Sequence, residues 1–365
     1  MIRIPVNTAS SSYEAVIEHG VLARAGDMLA KLIGQSCSLF IVTVAPVRRR
    51  WGRVLLQSLT AAGFSPKILE MRDGERFKRL STVEILAEDL VKLGADRKAV
   101  VLAFGGGVVG DVGGMLASIY MRGVKLIQVP TTVQAQLDAA IGGKTGVNLR
   151  AGKNLLGTFF QPQLVLIDPA TLATLPEREF CAGMYEALKC GVIGNEELFA
   201  RLENTSTKSL RKDRDFLAWV IAESVRLKAQ VVSADEKEED LRRVLNFGHT
   251  LGHAFEAATG YKKFLHGEAV AWGMIAAANI AANIAVCDKQ VYERIRTATL
   301  AWGALPGVTL QSGRALQLLQ SDKKTERGNV HFVLPEQIGK VEIVNNVPEH
   351  AIISALAEIR RLSRA

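Results

Sequence analysis

The sequence predicts two domains: an α/β domain with a parallel sheet over residues 1–176, and a mostly α-helical domain over residues 177–365. Up to residue 167, short β-branched runs alternate with stretches of helical periodicity, which is typical of a parallel sheet covered by helices. After Pro176, almost every segment has the apolar spacing of a helix. A chain of 365 residues also exceeds what one hydrophobic core usually supports.

The individual elements follow from these patterns in chain order. In the first domain we predict helices over 22–32, 49–62 and 82–93, and strands over 38–44, 66–70, 99–104, 124–129 and 164–167. In the second we predict a strand pair over 330–333 and 341–344, and helices over 182–192, 216–233, 251–258, 268–286, 291–300 and 349–362.

Composition narrows the functional class and the compartment. The most apolar run, 270–286, contains two asparagines and is shorter than the about 20 residues of a membrane span, so we expect no transmembrane helix. We also expect no secretory signal, because no apolar stretch follows a basic N-terminus. The four cysteines are scattered, which fits reduced thiols in the cytoplasm.

The formal net charge of +8 leaves open an anionic small substrate or a nucleic acid. The basic clusters at 48–53 and 360–364 are not interleaved with aromatic residues, and only 6% of the chain is aromatic. A nucleic-acid binder therefore stays a minor alternative, which predicts salt-sensitive retention on DNA.

A glycine-rich turn follows the strand predicted at 99–104. Gly105, Gly107 and Gly110 satisfy the pattern G-x-G-x-x-G and precede a helical stretch, where backbone amides can hold a pyrophosphate. No acidic residue follows at the spacing that a Rossmann site uses to hold a ribose. The glycines can therefore belong to a nucleotide site of another arrangement, or they can serve only to pack the strand closely against the helix.

A second glycine-containing stretch spans residues 138–154. It resembles a P-loop around Lys144, but Asp138 stands where that loop needs glycine, so we reject a P-loop. Its lysines and asparagines suit a phosphate group, and the alternative is an ordinary surface loop.

Three of the six histidines lie close together. His249 and His253 are four residues apart on one predicted helix face, and His266 begins the next helix. Glu186, on an apolar helix that also carries Lys189, can supply an oxygen ligand. Three protein ligands with open positions are typical of catalytic zinc, so we predict a metal site.

These motifs together resemble the 3-dehydroquinate synthase family, over nearly the whole chain. The stretches that carry the resemblance are Asp73-Gly-Glu-Arg-Phe-Lys78, Gly105-Gly-Gly-Val-Val-Gly-Asp111, Gln128-Val-Pro-Thr-Thr132, Asp138 with Gly142-Gly-Lys-Thr145, Gly152-Lys-Asn154, Glu186-Ala-Leu-Lys189, Leu245-Asn-Phe-Gly-His249, His266-Gly-Glu268 and Asp322-Lys-Lys324.

The resemblance implies an NAD- and zinc-dependent lyase (cobalt being the alternative metal) with the dehydroquinate synthase-like fold. Such an enzyme converts 3-deoxy-D-arabino-heptulosonate 7-phosphate to 3-dehydroquinate and phosphate in the shikimate pathway. NAD oxidises a hydroxyl, phosphate is eliminated, the hydride returns, and an intramolecular aldol reaction closes the ring. A cytoplasmic homodimer is the expectation.

The resemblance also implies roles for individual residues. The expected metal ligands are Glu186, His249 and His266, and the expected catalytic residues are Asp138, Lys189, Asn246 and His253. The expected substrate contacts are Lys144, Asn154, Lys228, Arg242, Lys323, Lys324 and, from a neighbouring subunit, Arg122. The expected cofactor contacts are Asp73, Gly74, Glu75, Arg76, Phe77, Lys78, Gly107, Val108, Val109, Gly110, Asp111, Thr131, Thr132, Lys144, Lys153, Thr171, Leu172, Ala173 and Thr174.

Two other enzyme classes stay open. The chain departs from the family pattern at Ala139-Ala140, Leu149-Arg150 and Cys190, which leaves room for a cyclase acting on sedoheptulose 7-phosphate or glucose 6-phosphate. Those substrates lack the carboxylate for which Lys228 and Arg242 are suited. A metal-dependent NAD polyol or alcohol dehydrogenase is the second alternative, and it would release NADH.

Overall fold

A computed structural model describes residues 1–323 and 330–364, without the side chains of 320–323. The chain divides into two compact units. The sheet unit comprises Met1–Leu175 and Arg214–Lys237, and the helical unit comprises Pro176–Asp213 and Glu238–Ala365.

The strands lie in one large sheet and two hairpins. They are β1 (Ile2–Asn7), β2 (Ser12–Ile17), β3 (Leu39–Val44), β4 (Lys67–Met71), β5 (Val100–Gly105), β6 (Lys125–Pro130), β7 (Lys144–Val147), β8 (Leu156–Phe159), β9 (Leu164–Ile167), β10 (His331–Gln337) and β11 (Lys340–Asn345). Within the described residues, seven strands form the sheet in the order β1-β2-β9-β6-β5-β3-β4. Only β1 runs antiparallel to its neighbour.

The helices in the described residues are α1 (Ala25–Ile33), α2 (Ala45–Val47), α3 (Arg53–Ala61), α4 (Leu80–Lys92), α5 (Gly107–Ile119), α6 (Glu177–Gly194), α7 (Glu196–Glu203), α8 (Thr207–Lys212), α9 (Arg214–Ala234), α10 (His249–Ala258), α11 (His266–Asn283), α12 (Lys289–Ala301), α13 (Ser312–Lys323) and α14 (Glu349–Leu362). Within the described part of the chain, none of them is both long enough and apolar enough to span a membrane.

The sheet has a hydrophobic core on each face. Alternate residues of β3 point to opposite sides: Phe40 and Val42 join one apolar cluster, and Leu39 and Ile41 join the other. Every residue of β3 and β5 is buried, which explains why these strands appear in the sequence as continuous apolar runs. This architecture and the helical second unit confirm the predicted fold class.

The helical unit is arranged around α11. This helix packs against α6, α10, α12 and α14, and nearly all its residues from Gly267 to Ala281 are buried. A helix that is apolar on all sides has to be enclosed by other helices. The most apolar run of the sequence is therefore the central helix of this unit.

The structure differs from the predicted elements in several places. The sequence patterns did not predict β1 and β2, and Pro5 within β1 is tolerated because β1 is an edge strand. The stretch 138–154 contains β7, where no strand was predicted, and α7, α8 and α13 were also missed. Helix α9, which the predicted division at residue 176 assigned to the helical domain, packs against β1 and β2 in the sheet unit.

A carboxylate just beyond α9 ties this helix to the sheet unit. Glu236 accepts hydrogen bonds from the Ser10 amide (3.0 Å), the Ser10 hydroxyl (2.5 Å) and Gln161 Nε2 (2.9 Å). Desolvation opposes ionisation, but these hydrogen bonds prevail and hold the pKa of Glu236 below its ordinary value.

Candidate functional site

The expected cofactor contacts of the sheet unit lie at one edge of its sheet. Residues 73–78 follow β4, 107–111 follow β5, 131–132 follow β6, and 171–174 follow β9, and these four strands are parallel. The chain passes from β3 to β4 on one side and returns to β5 on the other side of β3. Ligands of open parallel sheets bind at the carboxyl ends of the strands, at such a reversal of strand order.

The glycines of the turn between β5 and α5 allow close packing. A Cβ at Gly105 would lie 2.6 Å from Val109 Cγ2, and one at Gly110 would lie 3.0 Å from Gln128 Oε1. Beyond Gly106, at the N-terminus of α5, the first amides have no partner within the helix. The turn therefore serves packing and also presents amides to an anion.

Lys78 joins two of the predicted segments. Its Nζ lies 2.5 Å from Asp111 Oδ2 and 2.5 Å from Asn154 Oδ1. Asn148 completes the link, because its Oδ1 accepts from the Asn154 amide (2.9 Å) and its Nδ2 donates to Glu75 Oε1 (2.7 Å). The structure thus brings the predicted substrate contact Asn154 together with three predicted cofactor contacts.

The half-buried Asp138 and the buried Lys228 form an ion pair in the sheet unit. Lys228 Nζ, on α9, lies 2.5 Å from Asp138 Oδ1 and 2.6 Å from its carbonyl oxygen. Lys144 is exposed at the start of β7, and Lys153 is half-buried.

Three further predicted residues of this unit are Thr171 and Thr174, which form hydrogen bonds, and Arg122, which has an unusual backbone conformation. Thr171 is buried, donates to the Asp168 carbonyl (2.7 Å) and accepts from Gln136. Thr174 accepts from Trp51 Nε1 (3.1 Å). Arg122 has a left-handed backbone with φ 69°, which is uncommon outside glycine and is often found at functional sites.

In the helical unit, glycines bring α11 close to two neighbouring helices. A Cβ at Gly267 would lie 2.6 Å from the carbonyl carbon of Ala182 in α6. One at Gly273 would lie 2.8 Å from the carbonyl carbon of Gly248, at the start of α10. Because both neighbours are backbone atoms, only glycine permits these approaches.

These approaches bring the predicted metal ligands together. Glu186 on α6, His249 on α10 and His266 on α11 place their ligand atoms within 4.8 Å of one another. The Glu186 side chain is 1% exposed and is ion-paired with the buried Lys189. Lys189 Nζ lies 2.5 Å from Oε2, and His266 Nε2 lies 3.6 Å from Oε1.

Both histidines are held through Nδ1. His249 Nδ1 lies 3.1 Å from the Phe247 carbonyl oxygen, and His266 Nδ1 lies 3.1 Å from Glu256 Oε2. Desolvation and the neighbouring positive charges lower the pKa of His249 well below its ordinary value. Desolvation also opposes protonation of His266, but the carboxylates of Glu256 and Glu186 raise its pKa.

This donor set fits a divalent cation. A buried carboxylate needs cationic partners, and two imidazoles with Nδ1 engaged can offer Nε2. Mixed nitrogen and oxygen ligands suit zinc and similar ions, and three ligands leave positions for a substrate. His253, Glu256 and His266 form a second possible group, with His253 exposed.

The other predicted residues of this unit are placed as follows. The His253 ring centroid is 5.4 Å from that of His249. Asn246 donates from Nδ2 to Glu238 Oε1 (3.1 Å), and Arg242 is 1% exposed. Lys324 and the side chain of Lys323 lie outside the described residues.

Glu256 and Glu238 contact predicted site residues, but the sequence did not lead us to predict either of them. A signal for Glu256 was present, because it lies seven residues after His249 and three after His253, on the same face of α10. We find no comparable signal for Glu238.

Comparisons with known proteins agree with the predicted family. A family model described as 3-dehydroquinate synthase N-terminal matches residues 68–182, and one described as 3-dehydroquinate synthase C-terminal matches residues 183–325. A 3-dehydroquinate synthase from Koribacter versatilis is 50% identical over 363 residues, covering 100% of this chain and 99% of the relative. One from Solibacter usitatus is 46% identical, covering 96% and 97%.

Solved structures give the same picture of the fold. A 2-epi-5-epi-valiolone synthase from Streptomyces hygroscopicus subsp. jinggangensis 5008, with NAD+ and Zn2+ bound, superposes with a TM-score of 0.88 at 31% identity, covering 96% of this chain and 98% of that one. A 2-deoxy-scyllo-inosose synthase complexed with carbaglucose-6-phosphate, NAD+ and Co2+ gives 0.86 at 26% identity, covering 98% and 99%.

Proposed function

This chain belongs to the 3-dehydroquinate synthase family, and from that membership we propose that it converts 3-deoxy-D-arabino-heptulosonate 7-phosphate to 3-dehydroquinate and phosphate. The observation that carries the proposal is the buried cluster of Glu186, His249 and His266, whose ligand atoms lie within 4.8 Å of one another. A metal-dependent lyase requires a ligand cluster of this kind.

The reaction needs a hydride acceptor and a Lewis acid. When bound, NAD accepts and returns a hydride, and a divalent cation lowers the pKa of substrate hydroxyls. The similar cyclases were solved with NAD+ and with Zn2+ or Co2+. Because the oxidation and the later reduction cancel, the net products are 3-dehydroquinate and phosphate.

In the proposed site, Glu186, His249 and His266 hold the cation. Lys189 lies beside the Glu186 carboxylate, where its ammonium group can orient a substrate hydroxyl. His253 is exposed next to His249, so its ring can exchange protons with solvent and with substrate.

Asp138 and Asn246 complete the proposed catalytic set. In the sheet unit, the Lys228 ammonium group lies 2.5 Å from Asp138 Oδ1 and so fixes the carboxylate that we assign to proton transfer. In the helical unit, the hydrogen bond to Glu238 fixes the Asn246 amide.

The two anionic groups of the substrate need charge-assisted partners. We assign the carboxylate to Arg242 and Lys228, whose positive charges suit a carboxylate. We assign the phosphate to Lys144 and Asn154, with Lys323, Lys324 and a neighbouring subunit's Arg122 completing the set.

A cytoplasmic homodimer is the proposed assembly. Met121 is 42% exposed and Phe159 is 46% exposed, and large apolar side chains at this exposure suit burial against a second copy. The four cysteines are free, which fits a reducing compartment. Sedimentation equilibrium tests the dimer.

The deciding experiment measures phosphate release from the heptulosonate phosphate. We expect release that depends on added NAD and is abolished by a metal chelator. Parallel reactions with sedoheptulose 7-phosphate and glucose 6-phosphate test the other cyclases, and a polyol with NAD tests a dehydrogenase. Turnover of a carboxylate-free sugar phosphate in place of the heptulosonate phosphate would refute the proposed substrate.

A further inference from the structure

We propose that Glu256 is a positioning residue that sets the tautomer and the ring orientation of His266, so that Nε2 is presented to the metal. This inference rests on the proposed metal site of Glu186, His249 and His266. Glu256 lies on α10 and His266 begins α11, so the contact joins two of the helices that build the site.

The geometry of His266 supports this role. Its Nδ1 lies 3.1 Å from Glu256 Oε2, and its Nε2 lies on the other side of the ring, 3.6 Å from Glu186 Oε1. A neutral imidazole carries one proton, and a carboxylate oxygen is an acceptor. When Nε2 binds a metal, the ring is neutral and its one proton resides on Nδ1, facing Glu256, while the lone pair of Nε2 faces the side of Glu186.

The burial of Glu256 makes this contact costly to change. Its side chain is 2% exposed, so the charge has little access to water and depends on hydrogen bonds within the protein. A carboxylate that accepts Nδ1–H also increases the electron-donating strength of the opposite nitrogen. His249 is held in the same way, but by the uncharged carbonyl of Phe247.

The alternative is that Glu256 itself binds a cation, together with His253 and His266. One neutral imidazole can donate only one lone pair, so the two groups compete for His266. Glu186 Oε1 lies 3.6 Å from Nε2 of His266, with room for a shared ion, whereas Glu256 Oε2 already lies at hydrogen-bond distance from Nδ1. The geometry therefore favours Glu186 as the ligand and Glu256 as its support.

The test compares two variants with a matched control. In Glu256→Gln the amide oxygen can still accept Nδ1–H, but it has no charge, and the amide can also rotate to favour the other tautomer. In Glu256→Ala the acceptor is absent. The control is Glu203→Gln, because Glu203 forms a two-point ion pair with Arg294 in the same unit (2.8 and 3.1 Å) and touches none of the proposed ligands.

Zinc affinity is measured by competition with a chromophoric chelator. Cobalt is then added to the metal-stripped full chain, and its stoichiometry and visible absorption are measured. Supporting interactions of this kind change metal affinity by about 10–100-fold. We expect about 10-fold weaker zinc binding in Glu256→Gln and about 100-fold in Glu256→Ala, with altered cobalt absorption at unchanged stoichiometry. Glu203→Gln should match the wild type.

Circular dichroism and urea unfolding establish that each variant is folded, and Glu256→Gln suffices if the alanine variant is not. Zinc affinity within about twofold of wild type in Glu256→Gln, with unchanged cobalt absorption, would overturn the inference. Loss of a second bound equivalent of cobalt would also overturn it, because Glu256 would then be a ligand. His249→Ala distinguishes failure of the metal site from failure of the role of Glu256. If this variant retains metal, the proposed metal site itself is wrong.

Discussion

Replacing Gly267 with alanine should move apart the helices that carry two of the three proposed metal ligands. Gly267 follows His266 in α11 and packs on α6 at Ala182, four residues before Glu186. A Cβ at this position would lie 2.6 Å from the carbonyl carbon of Ala182 and closer still to its oxygen. Both are backbone atoms, so no side-chain rotation can relieve the overlap.

The size of the effect follows from these distances. Ordinary contacts of a Cβ begin at 3.4 Å, so the helices must separate by at least about 0.8 Å. Metal–ligand distances tolerate only about 0.2 Å, so His266 and Glu186 can no longer share one ion at normal bond lengths. We expect at least about 100-fold weaker zinc binding, together with an overpacking cost of about 1–3 kcal/mol in unfolding free energy.

The assay combines zinc titration against a chelator with urea unfolding of the metal-free protein. Gly313→Ala is the control, because Gly313 lies in α13 of the same unit and a Cβ there would have nothing within 4 Å. We expect the control to keep the wild-type zinc affinity and to be at least as stable as the wild type, because alanine is the better helix former. Wild-type zinc affinity in Gly267→Ala would show that the close approach of α6 and α11 does not determine the metal site.

Four further predictions can be checked with standard measurements. His249→Ala and His266→Ala should each lose bound zinc and activity together, because two remaining ligands make a weak site; full metal content by atomic absorption would contradict the ligand assignment. NAD should be required without net NADH accumulating at the nicotinamide absorbance, and steady NADH production would indicate a dehydrogenase. Arg242→Ala should weaken use of the heptulosonate phosphate by about 2–5 kcal/mol with zinc content unchanged, and wild-type kinetics would refute its role. Glu236→Gln should cost about 1 kcal/mol at neutral pH; because the folded pKa of Glu236 is lowered, this difference should disappear as the pH falls below 4.5, whereas a pH-independent difference would contradict the ionic hydrogen bonds.

The parallel sheet could be predicted because its central strands are buried on both faces. β3 and β5 therefore appear in the sequence as uninterrupted apolar runs, which a half-exposed strand does not. The edge strand β1 carries polar residues and Pro5, so its sequence has no such run. Helix α9 has a clear helical pattern, but periodicity indicates only that a face is buried, not which unit buries it.

The metal site could be predicted only in part, because a sequence pattern shows one face of a helix but not the residues of another helix that contact it. Helical spacing places His249 and His253 on one face, and the same spacing reaches Glu256. Spacing within one helix cannot show that the Glu256 carboxylate lies against the ring of His266, because that contact joins two helices. The pairing of Lys228 with Asp138 was missed for the same reason, since the two residues are ninety positions apart.

The glycines of the metal-site motifs explain how short stretches of sequence can specify a site built from three helices. In Asn-Phe-Gly-His, Gly248 has a φ of 80°, so the chain turns into α10 with His249 as the first helical residue. In His-Gly-Glu, Gly267 lets α11 approach α6, while Glu268 accepts from the Leu265 amide (2.8 Å) at the helix start. Each of the two proposed histidine ligands is therefore adjacent to a glycine that fixes the position of its helix. A motif of this kind specifies the separation of helices as well as the identity of ligands, and substitution of the glycine should remove the metal as effectively as substitution of the histidine.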